Sequence, residues 1–159
     1  MEGFEEFFAA HYGPVLHAVG LATGDPQRAE DMTQEAFARA YRRWSGVSAM
    51  ERPVAWVYVV ALNAARRSFR DERLAARADP GTVDREVEGD VTDAVTLRAL
   101  LAELPPRQRA AVVLRYLADL SVAETADAMG CAEGTVKSAV HAALRHLRAD
   151  LDEEAVHGP

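Results

Sequence analysis

The sequence predicts an all-α protein: two small helical domains joined by a flexible acidic linker, the second domain a four-helix unit that contains a helix-turn-helix. Three observations carry this. Apolar residues recur at helical spacing on both sides of residues 79–90. Residues Asp79 to Asp90, DPGTVDREVEGD, hold one proline, two glycines and five acids without a sustained apolar period, as a flexible boundary does. The stretch Leu120 to Leu151, LSVAETADAMGCAEGTVKSAVHAALRHLRADL, has the pattern helix, tight turn, helix. The expected divisions are a first domain over residues 1–77, a linker over 78–92, a second domain over 93–152 and a tail over 153–159.

In chain order, Phe4, Phe7, Phe8, Val15, Leu16 and Val19 share a helical spacing, and Pro14 is expected to bend or divide that helix. Gly24-Asp25-Pro26 is a stop followed by a start, with Asp25 as the N-cap and Pro26 at the first helical position. The next helix is expected to reach about Arg43 and to bury Ala29, Met32, Ala36, Phe37 and Ala40. Its other side, Glu30, Asp31, Gln34 and Glu35, is a compact acidic-polar face, which in most proteins is simply solvated. Trp44 closes this helix, and Ser45 to Arg52 is expected to be a loop.

Pro53 opens a long helix, PVAWVYVVALNAARRSFRDERLAAR. Trp56 and Asn63 lie seven residues apart, about two turns, on one face. Arg66, Arg67, Arg70 and Arg73 follow. A ring, an amide and clustered guanidinium groups on one helix suit nucleic acid, since rings stack on bases and guanidinium groups hold phosphates. The same residues also suit a core tryptophan beside solubilising arginines. Beyond the linker, Val95, Leu97, Leu100, Leu101 and Leu104 form a helix stopped by Pro105-Pro106. Arg107 to Leu117 forms another, with Ala110, Val113, Leu114 and Leu117 inward, and Asp119-Leu120 turns the chain.

In the last two helices, Ser121 and Glu124 stand at capping-box spacing. Gly130 occupies the position where a left-handed residue ends a helix. Val136, Val140, Leu144, Leu147 and Leu151 make the inner stripe of the final helix, and Lys137, His141, Arg145 and Arg148 run beside it. A helix apolar on one side and polar-basic on the next is suited to a DNA major groove.

The chain has 159 residues and a net charge of −7, which opposes DNA binding by the protein alone because phosphate contacts dominate such affinity. The charge falls in blocks. Met1 to Tyr41 carries two arginines against seven acids, Arg52 to Arg77 six arginines against two, and Ala78 to Glu103 two against seven. Such blocks suit separate surfaces for separate partners. No apolar run has membrane-spanning length, and the acidic start MEGFEEFF lacks the basic segment of a secretory signal. Cys131 is the sole cysteine, so an internal disulfide is excluded and a reduced, cytoplasmic setting is expected. Phosphate-loop, dinucleotide, serine-hydrolase and zinc-protease motifs are absent. His141 and His146 are five apart, a poor spacing for shared ligation, and the Glu30, Asp31, Glu35 cluster lacks the loop carbonyls of a hard-cation site. The residues give no positive argument for an enzyme, a metal or a cofactor.

Four segments in order resemble bacterial sigma factors of the extracytoplasmic-function (ECF) group. Ala29 to Trp44 is similar to the polymerase-binding segment, Pro53 to Arg70 to the segment that engages and opens the −10 element, Leu101 to Ala126 to the start of the second DNA-binding domain, and Glu133 to Arg148 to the −35 recognition helix. The resemblance implies that Glu30, Asp31, Gln34 and Glu35, with Phe37 and Tyr41, dock on the clamp helices of the polymerase largest subunit. It implies that Ser45 to Arg52 holds a base flipped from the −10 element, and that Arg52, Trp56, Asn63, Arg66, Arg67 and Arg70 contact that DNA. It assigns Thr135, Lys137, Ser138, His141 and Arg145 to the −35 element. Core RNA polymerase (including the flap of its second-largest subunit), promoter DNA and an anti-sigma factor are the implied partners, without catalysis or membrane insertion.

Departures from the family pattern are Ala139 and Ala142, where many members carry arginine, Val59 and Arg66, where a basic and an acidic residue are common, and Ala132 at a capping position. Two other functions compete. A sigma mimic would sequester an anti-sigma factor without reading DNA, which the missing arginines favour. A simple operator-binding repressor would leave the first half without a role.

Overall fold

The computed structural model describes the backbone of residues 3–63 and 92–157 and the side chains of residues 3–63 and 97–152. Within these residues every regular element is helical: α1 (Phe4–Thr23), α2 (Pro26–Arg42), α3 (Trp44–Val47), α4 (described over residues 53–63), α5 (Thr92–Ala102), α6 (Pro106–Val112), α7 (Val122–Met129) and α8 (Glu133–His157). The expected linker over 78–92 lies outside the described residues apart from Thr92, which begins α5.

Helix α1 stays one helix through Pro14, so of the expected bend or division the division does not occur. A proline removes one backbone bond and crowds the preceding turn, but Phe7 before it and Val15, Ala18 and Val19 after it are buried in the same core. Gly24 ends α1 in the left-handed region, φ 71°, with its N–H donating to the Gly20 carbonyl at 2.9 Å. A glycine adopts that conformation without the Cβ penalty. Asp25 caps α2 through Oδ1, which accepts from the Arg28 N–H at 3.2 Å, and Pro26 stands at the first helical position. The inward side of α2 is the predicted set Ala29, Met32, Ala36, Phe37 and Ala40, joined by Thr33. Trp44 begins the short helix α3, so the expected loop 45–52 is partly helical.

In the second half Leu101 and Leu104 are buried, whereas Leu97 is exposed. After α6 the chain makes a π-helical turn, Val113–Leu117. There the Ala118 N–H donates to Val113 at 3.0 Å, five residues back. That wider turn shifts the helical register. Leu117, expected inward, faces out, while Val113, Leu114 and Leu120 fill the core. The Arg115 guanidinium donates to the Leu120 carbonyl and fixes the exit of the turn.

The capping box forms as predicted. The Glu124 N–H donates to Ser121 Oγ at 3.0 Å, and the Ser121 N–H donates to Glu124 Oε1 at 2.8 Å. Gly130 closes α7 at φ 67°. Helix α8 buries Val136, Ala139 and Ala143; Val140, Leu144 and Leu147 are half-buried and Leu151 is exposed. The halves are not separate cores. Helix α1 packs on α6 and on the π-helical turn, and one apolar cluster runs from Phe7 through Leu62 and Leu104 to Ala143.

Candidate nucleic-acid and protein interfaces

The first surface belongs to α1 and α2. Glu30, Asp31 and Gln34 are exposed on α2 and Glu35 is half-buried. Gln34 Nε2 donates to Glu30 Oε1 at 3.4 Å, while Arg39 pairs with Glu35 at 2.9 Å and offsets its charge. The free negative charge therefore sits on Glu30 and Asp31. Tyr41 is 67% exposed, but Phe37 is only 2% exposed. Phe37 thus meets a partner only as the floor of a groove of about 520 Å³ whose lining includes Phe4, Phe8, Tyr12, Gln34 and Tyr41. The rings brace one another: Phe8 stacks on Tyr12 at 4.8 Å, and Phe4 meets Tyr41 edge-on at 5.1 Å. Sequence reasoning missed this α1 wall. The available signal was Phe4, Phe8 and Tyr12 at four-residue spacing, beside a core stripe already supplied by Phe7, Val15 and Val19.

The second surface is α4 with the segment before it. Trp56 is half-buried: it packs against the core and leaves part of its side chain exposed. Asn63 is half-buried, and its Oδ1 is buried without a hydrogen-bond partner among the described residues. An orphaned acceptor of this kind costs about 1–3 kcal/mol and favours an incoming donor. Arg52 is exposed but engaged: its guanidinium pairs with Glu124 and donates to the Asp119 carbonyl at 3.1 Å, both in the second half. Arg66, Arg67 and Arg70 lie outside the described residues. Tyr58 is buried in the same helix, and desolvation pushes its hydroxyl up to about 12.

The third surface is α8. Lys137, Ser138, His141 and Arg145 are exposed, with Arg148 further along, and Thr135 is half-buried. His146 faces elsewhere, its Nδ1 2.8 Å from Gln108 Oε1 of α6. Ala139 is 7% exposed, a core position of this helix. Its small side chain lets α8 approach its neighbours, so its apolar character leaves the exposed basic face intact. Lysine, arginine and hydroxyl groups along one helix face can hold phosphates and reach base edges. Among the described residues no three His, Cys, Asp or Glu side chains gather to hold a metal ion, and no helix is long and apolar enough to cross a membrane.

Residues 7–75 match the model for Sigma-70 region 2, and residues 94–147 that for Sigma-70, region 4. The RNA polymerase sigma-E factor of Streptomyces avermitilis is 35% identical over 153 residues, covering 94% of this chain and 85% of that protein. The ECF RNA polymerase sigma factor SigL of Mycobacterium tuberculosis is 36% identical over 142 residues, 84% of this chain and 80% of that one. The chain belongs to the ECF sigma factors. In fold, the ECF chain is similar to the sigma factor RpoE of Bartonella quintana, solved in complex with the anti-sigma factor NepR. The TM-score is 0.80 at 21% identity, over 94% of this chain and 96% of that one.

Proposed function

We infer that the protein is a promoter-specificity subunit: it binds core RNA polymerase, recognises promoter DNA and helps open it for transcription initiation. The observation that carries this is the coexistence of an exposed acidic-aromatic surface on α1 and α2 with an exposed basic face on α8 in a chain of net charge −7. The first suits a basic protein partner, and the second suits DNA. Residues 1–77 form the unit for polymerase and the −10 element, 78–92 the linker, and 93–152 the unit for the −35 element.

Glu30, Asp31 and Gln34 face the clamp helices of the largest subunit, with Glu35 held by Arg39 and the Phe8–Tyr41 groove taking an apolar side chain. Ser45 to Arg52 receives a flipped base, and Trp56 and Asn63, with Arg66, Arg67 and Arg70, line the opened strand. Binding the unpaired base offsets an unpairing cost of a few kcal/mol. Thr135, Lys137, Ser138, His141 and Arg145 contact the −35 element. The protein works in the cytoplasm, catalyses no covalent step, uses no cofactor, contacts the polymerase flap and is restrained by an anti-sigma factor. The sigma-mimic reading drew on the missing arginines at positions 139 and 142, of which 139 is buried and 142 half-buried here.

Run-off transcription with core polymerase, with and without the protein, tests this reading. Lys137→Ala is expected to lower −35-dependent transcripts about tenfold while core binding persists, the loss of one strong DNA contact. Tyr41→Ala is expected to weaken core binding instead. Absence of any factor-dependent transcript, or unchanged promoter activity of the Lys137 variant, sinks the corresponding assignment.

A further inference from the structure

The stretch between Glu35 and Asp71 is strongly basic. It carries seven arginines, at positions 39, 42, 43, 52, 66, 67 and 70, and a single acid, Glu51. This acid lies inside the segment Ser45 to Arg52. The segment is pinned from within: Val47 is 1% exposed, Ser48 Oγ donates to the Ser45 carbonyl at 3.4 Å, and the Met50 N–H donates to the Val47 carbonyl at 3.1 Å. Met50 and Glu51 are left exposed side by side. Arg42 and Arg43, exposed where α2 ends, precede the segment. Among the described residues Arg39 pairs with Glu35 and Arg52 with Glu124, and Glu51 pairs with neither.

DNA offers a carboxylate few places to bind. Its phosphates are anionic and its sugars carry only acceptors within the chain, so its hydrogen-bond donors are the N–H groups of the bases. A carboxylate is an acceptor alone. On a surface that closes on DNA it is repelled by phosphate unless it meets a base N–H. A base flipped out of the stack presents its whole pairing edge. Adenine, cytosine and guanine each bring an exocyclic amine to that edge. Thymine brings one ring N–H between two carbonyl oxygens, which repel a carboxylate. Glu51 also stands two residues before Pro53, the start of α4, where an acid suits the positive end of a helix. That role bears on stability and is blind to the base.

We propose that Glu51 reads the base that the segment Ser45 to Arg52 receives: its carboxylate accepts from the exocyclic amine, so the segment takes adenine, cytosine or guanine and rejects thymine. Met50, 42% exposed beside it, offers a polarisable thioether to the ring of the same base. The neighbouring arginines suit the flanking phosphates, contacts that carry no base information. This reading rests on the function proposed above, because it names what the flipped-base segment selects.

The test uses holoenzyme assembled from core polymerase and the full-length factor. A library of duplex fragments randomised through the promoter region is mixed with it, and the fragments kept in heparin-resistant open complexes are sequenced. Wild type is expected to deplete thymine about tenfold at one position of the −10 element, the size of one strong base contact. Glu51→Ala is expected to erase the depletion at that position alone. Glu51→Gln, whose amide both donates and accepts, is expected to admit thymine while still holding an amine. Fixed fragments then carry adenine or purine, which lacks the amine, at the same position. Loss of the amine is expected to lower open-complex formation about tenfold for wild type and to leave Glu51→Ala unchanged. Thymine accepted by wild type, a depletion that survives in Glu51→Ala, or an equal loss for every base beside a lowered melting temperature overturns the reading of Glu51 while factor-dependent opening stands. If wild-type holoenzyme opens no fragment at all, the proposed function fails and the assignment of Glu51 falls with it.

Discussion

Single residues show how far burial decides what a side chain can do. Phe37 and Tyr41 sit one turn apart on α2, yet Phe37 is a floor and Tyr41 a wall. Tyr58 is a titratable group whose burial has a consequence for stability. Its hydroxyl is ordinary near 10.0 in an unfolded chain and is raised to about 12 by burial in the fold. The folded state therefore holds the proton more tightly. The resulting stability is complete below pH 10 and is lost as pH rises from about 10 to about 12. A difference of this size corresponds to on the order of 2–3 kcal/mol. Tyr58→Phe keeps the ring and removes the ionisable group. Chemical denaturation followed across this range is expected to show a shallower alkaline loss in the variant; equal slopes would remove Tyr58 from the explanation.

At the scale of elements, the capping box is the local device that makes a short α7 viable. Helix α7 has only eight residues, and isolated helices of that length are unstable in water. Ser121→Ala deletes the acceptor for the Glu124 N–H and is expected to cost about 0.5–2 kcal/mol. Thermal melting should fall by about 2–4 °C for each kcal/mol in a chain of this size. An unshifted melting temperature would mean that packing alone holds α7.

This element was fully legible in the sequence, because caps and stop glycines are local chemistry. So were the start of α2 and its inner face, where Asp25, Pro26 and the apolar period agree. The π-helical turn was not legible. Val113 to Leu117 fits an ordinary helical period, and the wider turn is registered only when Leu120 replaces Leu117 in the shared core. The aromatic groove was half legible: its α2 side stood in the polymerase-binding set, but its α1 side depends on which rings the core leaves over. Arg52 was legible as a cation, and its carboxylate partner 72 residues away was not, because long-range pairing leaves no periodic trace.

For the whole molecule the decisive quantity is charge set against reach. The α8 face offers Lys137, Arg145 and Arg148 as permanent cations, within a chain whose net charge is −7. About three phosphate contacts give a salt slope on the order of −3, and affinity of that kind falls in the non-specific range of about 10⁻⁴–10⁻⁶ M at physiological salt. The remaining negative field reduces it further. On the proposed function, polymerase would change this in two ways: covering Glu30 and Asp31 would neutralise them, and holding the two halves at promoter spacing would make the second contact intramolecular. Linking two weak sites at matched spacing can raise overall affinity about 10²–10⁴-fold without any new contact. The free protein is therefore expected to bind promoter duplex weakly and with steep salt sensitivity, and the holoenzyme firmly, when both are titrated against the same labelled fragment by fluorescence anisotropy. Tight binding by the free chain at physiological salt would mean that its own basic face suffices, and the division of labour between α2 and α8 would have to be abandoned.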